Sequence, residues 1–171
     1  MDSYLKRLHQ AITSATEGMT AEELRRHPEG KWSTSEVLEH LYLTYTGTVK
    51  GFTRCLEAGK PLASKPTGRQ RFRALVVAEL GYFPNGRSAP ERTRPRGMAA
   101  EKVLTEIGST ITRMDELISQ CEAQYGKRIR VLDHPVLGPL TTRQWRKFHW
   151  VHGRHHMKQI RQLRELASSR S

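Results

Sequence analysis

The sequence has few cysteines and no long apolar run, and both absences exclude classes of protein. Only two of its 171 residues are cysteine, and Cys55 and Cys121 lie far apart in helical patterns. They fit buried free thiols in a reducing compartment rather than a disulfide framework. No apolar stretch approaches the ~20 residues that a membrane-spanning helix needs. The first residues also lack the basic and apolar regions of a signal peptide. We therefore expect a cytoplasmic protein that does not associate with membranes.

Acidic residues are scarce: 17 Asp and Glu stand against 29 Lys and Arg, for a net charge of +12. Such a surface attracts anions. The basic residues cluster in five segments: Arg69–Arg73, Arg87–Arg96, Lys127–Arg130, Arg143–Lys147 and Arg161–Arg170. Aromatic residues do not alternate with them as a platform for single-stranded nucleic acid requires. The pattern favours a solvated basic surface, or a site for a small anionic substrate, over a nucleic-acid partner.

Helical periodicity and capping residues dominate the sequence. The length is typical of one domain, which we place over residues 1–171. Capping boxes at Thr20/Glu23 and Ser33/Glu36 each predict the start of a helix. Apolar residues at helical spacing predict four longer helices. Their approximate bounds are 3–15, 34–58, 99–123 and 142–167, with a short helix ending near residue 28. A four-helix bundle is the simplest way to bury all these stripes, so we expect an all-α fold.

Two segments between the helices have weaker patterns. Residues 60–98 read as a basic insertion, with a linker at 61–68, a short helix at 69–80 and a long loop at 81–97. Long loops in compact domains are often functional. Residues 127–140 read as a connection. The short run 129–132 could be extended, but one run of four residues does not build a sheet, so no sheet is expected.

The histidines carry the most specific signal. Four of the eight histidines fall within eight residues of the last helix, and several pairs have the spacing that lets two imidazoles meet on one helix face. The apolar stripe favours His152 and His156, with His155 turned to one flank. His149 is in line with both, but a rise of about 1.5 Å per residue places it roughly 10 Å from His156.

A third ligand should come from another helix, and His40 is the candidate because it faces the core side of its helix. Three neutral imidazoles leave an open position, as in catalytic rather than structural metal sites. Imidazole suits zinc, nickel, iron or copper, and the sequence does not choose among them. His134 precedes a proline in a loop, where it is either a turn residue or part of the mouth of the site.

Three blocks of sequence resemble the DinB/YfiT-like superfamily of metalloenzymes. Residues 32–41 (WSTSEVLEHL) resemble the start of its second helix, and residues 152–160 (HGRHHMKQI) resemble its last-helix motif. Residues 134–145 (HPVLGPLTTRQW) are similar to the approach to that helix in one branch. The resemblance implies an up-down-down-up four-helix bundle, often dimeric. It also implies a site whose three ligands map to His40, His152 and His156.

The superfamily includes enzymes that transfer or isomerise adducts of low-molecular-weight thiols, so the resemblance implies a metal-dependent thiol S-transferase. In that reaction the metal deprotonates a coordinating thiol, and the thiolate attacks an electrophile. Arginines of the insertion are candidates to hold carboxylates of the thiol: Arg87, Arg92, Arg94 and Arg96. Candidate pocket or supporting residues are His149, His155, Glu36 and Trp145. The insertion and the high basicity depart from the family pattern and leave the substrate open.

Two alternatives remain. In a metal-dependent hydrolase the open position would hold water, and Glu36 or Glu39 would be the nearest general base in sequence, although both more simply serve as a cap and a surface charge. In a metal-bound interaction or stress-response protein, the basic surface would bind an anionic partner in a salt-sensitive way.

Overall fold

Six α-helices and one small antiparallel sheet make up the fold. The structure, a computed structural model, describes residues 1–83 and 89–168. The helices are α1 (Ser3–Thr16), α2 (Ala21–Arg25), α3 (Thr34–Glu57), α4 (Gly68–Ala74), α5 (Ala100–Tyr125) and α6 (Thr142–Ser168), and the strands are β1 (Arg130–His134) and β2 (Gly138–Thr141). The chain is mostly helical, as the periodicity predicts. The bounds of the four long helices agree with the predicted ones to within about two residues.

Both predicted capping boxes are present at helix starts. At α3, the Ser33 amide donates to the Glu36 carboxylate at 2.7 Å, and the Glu36 amide donates to the Ser33 hydroxyl at 3.2 Å. Thr20 and Glu23 form the same reciprocal pair at α2. Each box satisfies two backbone groups that the first helical turn leaves without partners. The carboxylate of Glu36 is therefore a helix cap.

The four long helices bury their apolar stripes against one another. Helix α1 lies along α6, and α3 lies along α5. Each helix supplies fully buried side chains to one core, among them Leu8, Leu41, Ile111 and Ile160. The two cysteines are buried in this core, as predicted. Burial and the neighbouring Cys55 raise the pKa of Cys121 to about 12, so this thiol stays protonated at neutral pH.

The expectation of no sheet is wrong. Strands β1 and β2 pair antiparallel in a hairpin, with Leu132 opposite Leu140 and His134 opposite Gly138. An isolated two-stranded hairpin is marginal in water. This one is stabilised by burying Val131 and Leu140 completely against the helices. Since that burial depends on distant parts of the chain, the four-residue apolar run alone could not reveal the sheet.

The first half of the insertion at 60–98 contains the short helix predicted at 69–80. Helix α4 continues as a π-helical turn over Leu75–Glu79, and a 3-10 turn follows at Glu91–Thr93. Two hydrogen bonds fasten this segment to α6. Lys147 donates to the backbone carbonyl of Glu79 at 2.8 Å, and Arg154 donates to the carbonyl of Gly81 at 3.0 Å. In the predicted loop at 81–97, the described residues 81–83 and 89–97 are irregular except for this 3-10 turn. Arg87 lies outside the described residues.

In residues 1–83 and 89–168, no helix combines the length and apolar character needed to cross a membrane.

Candidate metal centre

Three buried imidazoles from two helices meet at one point. His40 projects from α3, and His152 and His156 project from successive turns of α6. The Nε2 atom of His152 lies 3.2 Å from that of His40 and 3.0 Å from that of His156. In the described ranges this is the one cluster of histidine, cysteine or acidic side chains arranged to hold a metal ion. The structure thus brings the three predicted ligands together.

The spacing of the nitrogens fits a first-row metal ion. Metal–imidazole bonds of about 2.0–2.1 Å place neighbouring ligand nitrogens roughly 2.8–3.4 Å apart, from octahedral to tetrahedral geometry. The two nitrogen separations given above fall in that interval. The arrangement therefore needs no large movement of the side chains to hold an ion.

Hydrogen bonds on the far side of two rings set their tautomers. His40 Nδ1 donates to the carbonyl of Thr93 at 2.8 Å, and His156 Nδ1 donates to the side-chain oxygen of Gln159 at 2.8 Å. A neutral imidazole with its proton on Nδ1 has its lone pair on Nε2. Both lone pairs therefore point into the centre, as in metal sites whose ligands are oriented by a supporting hydrogen bond.

This donor set fits a cation better than it fits hydrogen bonding alone. With His40 and His156 both offering lone pairs, a proton on His152 Nε2 could satisfy only one of them. The Nδ1 atom of His152 is also buried without a partner in the described structure. That atom lacks a partner with or without a cation, but a buried lone pair without a donor is costly, and a cation would accept all three Nε2 lone pairs at once.

The surroundings of the centre are apolar and keep the imidazoles neutral. The ring of Phe148 stacks on His152 at a centroid distance of 5.4 Å, and Trp32 lies 5.3 Å from His40. Burial lowers the pKa of His40 and lowers that of His156 to about 3. Burial, followed by the neighbouring histidines, lowers the pKa of His152. Neutral imidazole is the form that binds a metal.

Gln159 is a supporting residue that the sequence analysis missed. Its amide oxygen accepts from His156, and its amide nitrogen donates to Nε2 of His155 at 3.2 Å. His155 is therefore turned away from the centre and steadies Gln159, which in turn orients His156. Only its position three residues after His156, on the same helix face, could have indicated this role.

His149 and Trp145 lie in the layer next to the centre. His149 is fully buried and shares a hydrogen bond with Thr48 at 3.1 Å, and its ring stacks on that of Trp145. The indole of Trp145 donates to the carbonyl of Leu132 at 3.2 Å, so it ties α6 to the hairpin. Neither residue is in the cluster of three nitrogens.

Glu39 is not a surface charge, because only 1% of the residue is exposed. Its carboxylate accepts the backbone N–H groups of Arg96, Gly97 and Met98 at 2.7, 3.0 and 3.0 Å. The next residue, His40, holds the carbonyl of Thr93 in the same segment. Glu39 and His40 together fix residues 93–98 beside the centre, a role that depends on contacts 53 or more residues away in sequence.

The three imidazoles open into a large basic cleft of about 1990 Å³. Its walls come from α3, α4, α6, the hairpin and the segment at 89–96. Eight cationic residues line it, namely Lys31, Lys50, Arg54, Arg69, Arg73, Arg92, Arg94 and Arg96. Among the described residues, no aspartate or glutamate lines it. Three of the four predicted anion-binding arginines thus lie at the cleft.

His134 also lines the cleft, so it is more than a turn residue. Its Nδ1 accepts the backbone N–H groups of Val136 and Leu137, both at 3.1 Å. Its ring packs against Phe148 at a centroid distance of 4.3 Å. The hairpin that presents it was not expected from the sequence, which is why its position in the cleft could not be inferred.

Comparisons with known proteins place the chain in a family. The chain is 28% identical over 153 residues to the uncharacterized protein YuaE of Bacillus subtilis (strain 168), a match that covers 86% of this chain and 87% of YuaE. No solved structure gives a significant match. Residues 4–163 match the model of a family described as "Protein of unknown function (DUF1569)". All three candidate ligands fall inside that range, and the chain belongs to the DUF1569 family.

Proposed function

We propose that this protein is a metal-dependent transferase that acts on a small anionic thiol. The observation that carries the proposal is the position of three convergent histidine nitrogens in a cleft lined by eight cationic residues and, among the described residues, by no carboxylate. An open metal position beside a strongly basic wall suits a substrate with a coordinating atom and an anionic group.

His40, His152 and His156 would hold the ion through their Nε2 atoms. When bound, a divalent ion such as zinc, nickel or iron supplies the charge that lets a coordinating thiol lose its proton near neutral pH. The chain orients these ligands through Thr93 and Gln159, as described above. The aromatic rings of Phe148, Phe83 and Trp32 pack against these imidazoles.

Arginines of the insertion would hold the anionic part of the thiol. Arg92 and Arg96 line the cleft and form no ion pair with a described carboxylate, whereas Arg94 pairs with Glu91 at 2.8 Å. Guanidinium groups bind carboxylates through paired hydrogen bonds. The Glu39 carboxylate fixes the backbone at residues 96–98, so it would help to determine the positions of these arginines.

The acidic residues favour transfer over hydrolysis. Hydrolysis by an activated water benefits from a general base within hydrogen-bond reach. Glu36 caps α3 and Glu39 is occupied by three backbone N–H groups, so neither is free for that role. A thiol that loses its proton on coordination needs no such base.

We further propose that the four long helices form the up-down-down-up bundle of DinB/YfiT-like proteins, and that the chain forms a homodimer. The pairing of α1 with α6 and of α3 with α5 supports the first point. So does the origin of the three histidines, which come from the second and the last long helix. Sedimentation analysis of the purified protein tests the second point, and a monomer at all concentrations would contradict it.

The first experiment measures metal content by elemental analysis of protein purified without a histidine tag. We expect close to one equivalent in the parent and none in a folded His40→Ala/His156→Ala variant. His149→Gln is the matched control, because His149 is a buried histidine of α6 outside the cluster, and it should keep the metal. A parent that neither carries nor takes up a metal ion would refute the proposal.

The second experiment measures transfer of a small anionic thiol to an alkyl halide by the metal-loaded protein. We expect turnover by the parent and by His149→Gln, and loss of turnover in His152→Ala. Hydrolysis of ester, amide or phosphate substrates without any thiol would instead favour the hydrolase. Salt-sensitive binding to an anionic macromolecule with no reaction of either kind would favour the non-enzymatic alternative.

A further inference from the structure

The cleft contains a second group of polar side chains beside the metal centre, at the tip of the hairpin. The ring of His134 lies 4.3 Å from that of Phe148, and the ring of Phe148 also stacks on that of His152 at 5.4 Å. These two separations limit the distance between the His134 and His152 rings to less than about 10 Å. A small molecule in the cleft can therefore reach both histidines.

The hairpin fixes the tautomer of His134. Because Nδ1 accepts two backbone N–H groups, from Val136 and Leu137, it carries no proton. The neutral ring therefore has its proton on Nε2. Burial, and then the charge of Arg92, lowers the pKa of His134 to about 3, so the ring is neutral at pH 7. Its Nε2–H has no hydrogen-bond partner among the described residues, and it is a donor available to a ligand.

Two arginines line the same cleft as this donor. Arg92 lines the same cleft, its charge reaches His134, and it forms no ion pair with any described carboxylate. Arg73 lies over the hairpin turn, with its Nη1 atom 3.5 Å from the carbonyl oxygen of Val136. Two guanidinium groups and one neutral N–H donor thus line the same cleft, and Arg73 contacts the hairpin turn that carries His134.

We propose that His134, Arg92 and Arg73 form an anion subsite that binds a carboxylate or phosphate group of the substrate. Nε2–H of His134 donates one hydrogen bond to the anion, and the guanidinium groups supply charge-assisted ones. This inference rests on the proposed function, because it takes the cleft to be the substrate site. It limits the substrate class to molecules that carry an anionic group in addition to the atom that reaches the three-histidine centre.

The test is a titration of the whole 171-residue protein with inorganic phosphate, and separately with acetate, followed by long-range ¹H–¹⁵N NMR of the histidine rings. The variants are Arg92→Gln and His134→Asn. Asparagine keeps an acceptor for the turn but is too short to place an N–H where the Nε2–H of histidine lies. The matched control is Arg113→Gln, which removes one exposed positive charge on α5, away from the cleft.

We expect the His134 spectrum to show the Nε2–H tautomer and to shift on anion binding. We expect binding to weaken about tenfold in Arg92→Gln, as for loss of one charge-assisted hydrogen bond, and about equally in His134→Asn. Arg113→Gln should change it less than about twofold, since it alters only a distant screened charge. The stronger of the two anions identifies the group that the subsite prefers. Equal effects of Arg92→Gln and Arg113→Gln, or His134 signals that do not move at saturation, would overturn the subsite.

A parallel titration of the His40→Ala/His156→Ala variant separates this inference from the proposed function. If anion binding persists in this variant and the parent takes up no metal, the result supports the anion subsite and refutes the proposed transferase function. A parent that holds metal and transfers thiol adducts, yet binds anions independently of Arg92, would refute the subsite alone.

Discussion

At the scale of single residues, Glu39 and His40 hold the same segment through opposite kinds of hydrogen bond. Glu39 accepts from three backbone N–H groups, and His40 donates to the carbonyl of Thr93. The carboxylate thus sets the position of the carbonyl that orients a candidate metal ligand. Supporting hydrogen bonds of this kind typically change metal affinity by a factor of about 10–100.

Replacing Glu39 by glutamine should therefore loosen residues 93–98. We expect Glu39→Gln to lower stability by about 2 kcal/mol, because hydrogen bonds to a charged group are lost, and to weaken metal binding about tenfold. Urea denaturation and a competitive chelator titration would measure the two effects. Glu57→Gln, an exposed carboxylate on the same helix, should change stability by less than about 0.5 kcal/mol. Equal metal affinity in both variants would show that Glu39 has no part in the centre.

The buried histidines should make stability depend on pH. Burial, and then repulsion from the His134 ring in its protonated form, lowers the pKa of His149 to about 3 from an ordinary value of 6.5. Between these values the unfolded chain binds a proton that the folded chain does not. The contribution of His149 is therefore fully present above pH 6.5 and is lost as pH falls toward 3.

His149→Gln removes this linkage, and we expect its unfolding free energy to fall less steeply than that of the parent between pH 6 and pH 4. The difference should approach about 1.4 kcal/mol per pH unit for one proton. Urea denaturation of metal-free protein at several pH values would measure it. His27→Gln removes an exposed histidine and should keep the parent slope. A parent whose stability does not change over this range would contradict the burial of His149.

At the scale of elements, a helix or strand could be predicted when the residues that stabilise it are close together in sequence. The starts of α2 and α3 are set by capping boxes of four residues, and α5 and α6 by apolar stripes repeated over several turns. These signals lie within the element, so the elements were predicted. The β1–β2 hairpin lacks such a signal, because its stability comes from burying Val131 and Leu140 against helices remote in sequence.

The approach of α1 to α6 depends on a glycine. A Cβ atom at Gly153 would overlap the side chain of Leu8, whereas one at Gly47 in α3 would meet nothing within 4 Å. We expect Gly153→Ala to destabilise the protein by about 1–3 kcal/mol through overpacking. Gly47→Ala should stabilise it by about 0.5–1 kcal/mol, because alanine loses less conformational entropy in a helix. Thermal and urea denaturation of both variants would test this, and the same sign for both would contradict the close α1–α6 contact.

At the scale of the whole molecule, a buried ionic network joins α5, α6 and the N-terminus on residues outside the cleft. Arg146 donates to Asp115 at 3.0 Å, to Glu122 at 2.6 Å and to Ser119 at 2.8 Å. The amide of Asp2 donates to the other oxygen of Asp115 at 2.7 Å. Arg146 is therefore a cation buried among acidic partners and does not belong to the basic surface.

Removing the cation should leave two carboxylates without their partner. We expect Arg146→Ala to cost about 3–5 kcal/mol, the range for breaking a buried ion pair from one side. Arg143→Ala removes a mostly exposed arginine three residues earlier, whose contact with Glu79 is 3.4 Å long, and should cost about 0–1 kcal/mol. Urea denaturation compares the two. A similar small loss in both would mean that Arg146 is solvated rather than buried.

The sequence by itself determined the helical elements and the candidate metal ligands. Periodicity and capping are properties of neighbouring residues, and the spacing of His152 and His156 places both on one helix face whatever surrounds them. The tertiary structure alone decided what supports and extends the site: the carbonyl of Thr93 behind His40, the burial of Glu39, and the hairpin that turns His134 into the cleft. Each of these depends on groups that are distant in sequence, and such groups meet only when the apolar core brings their elements together.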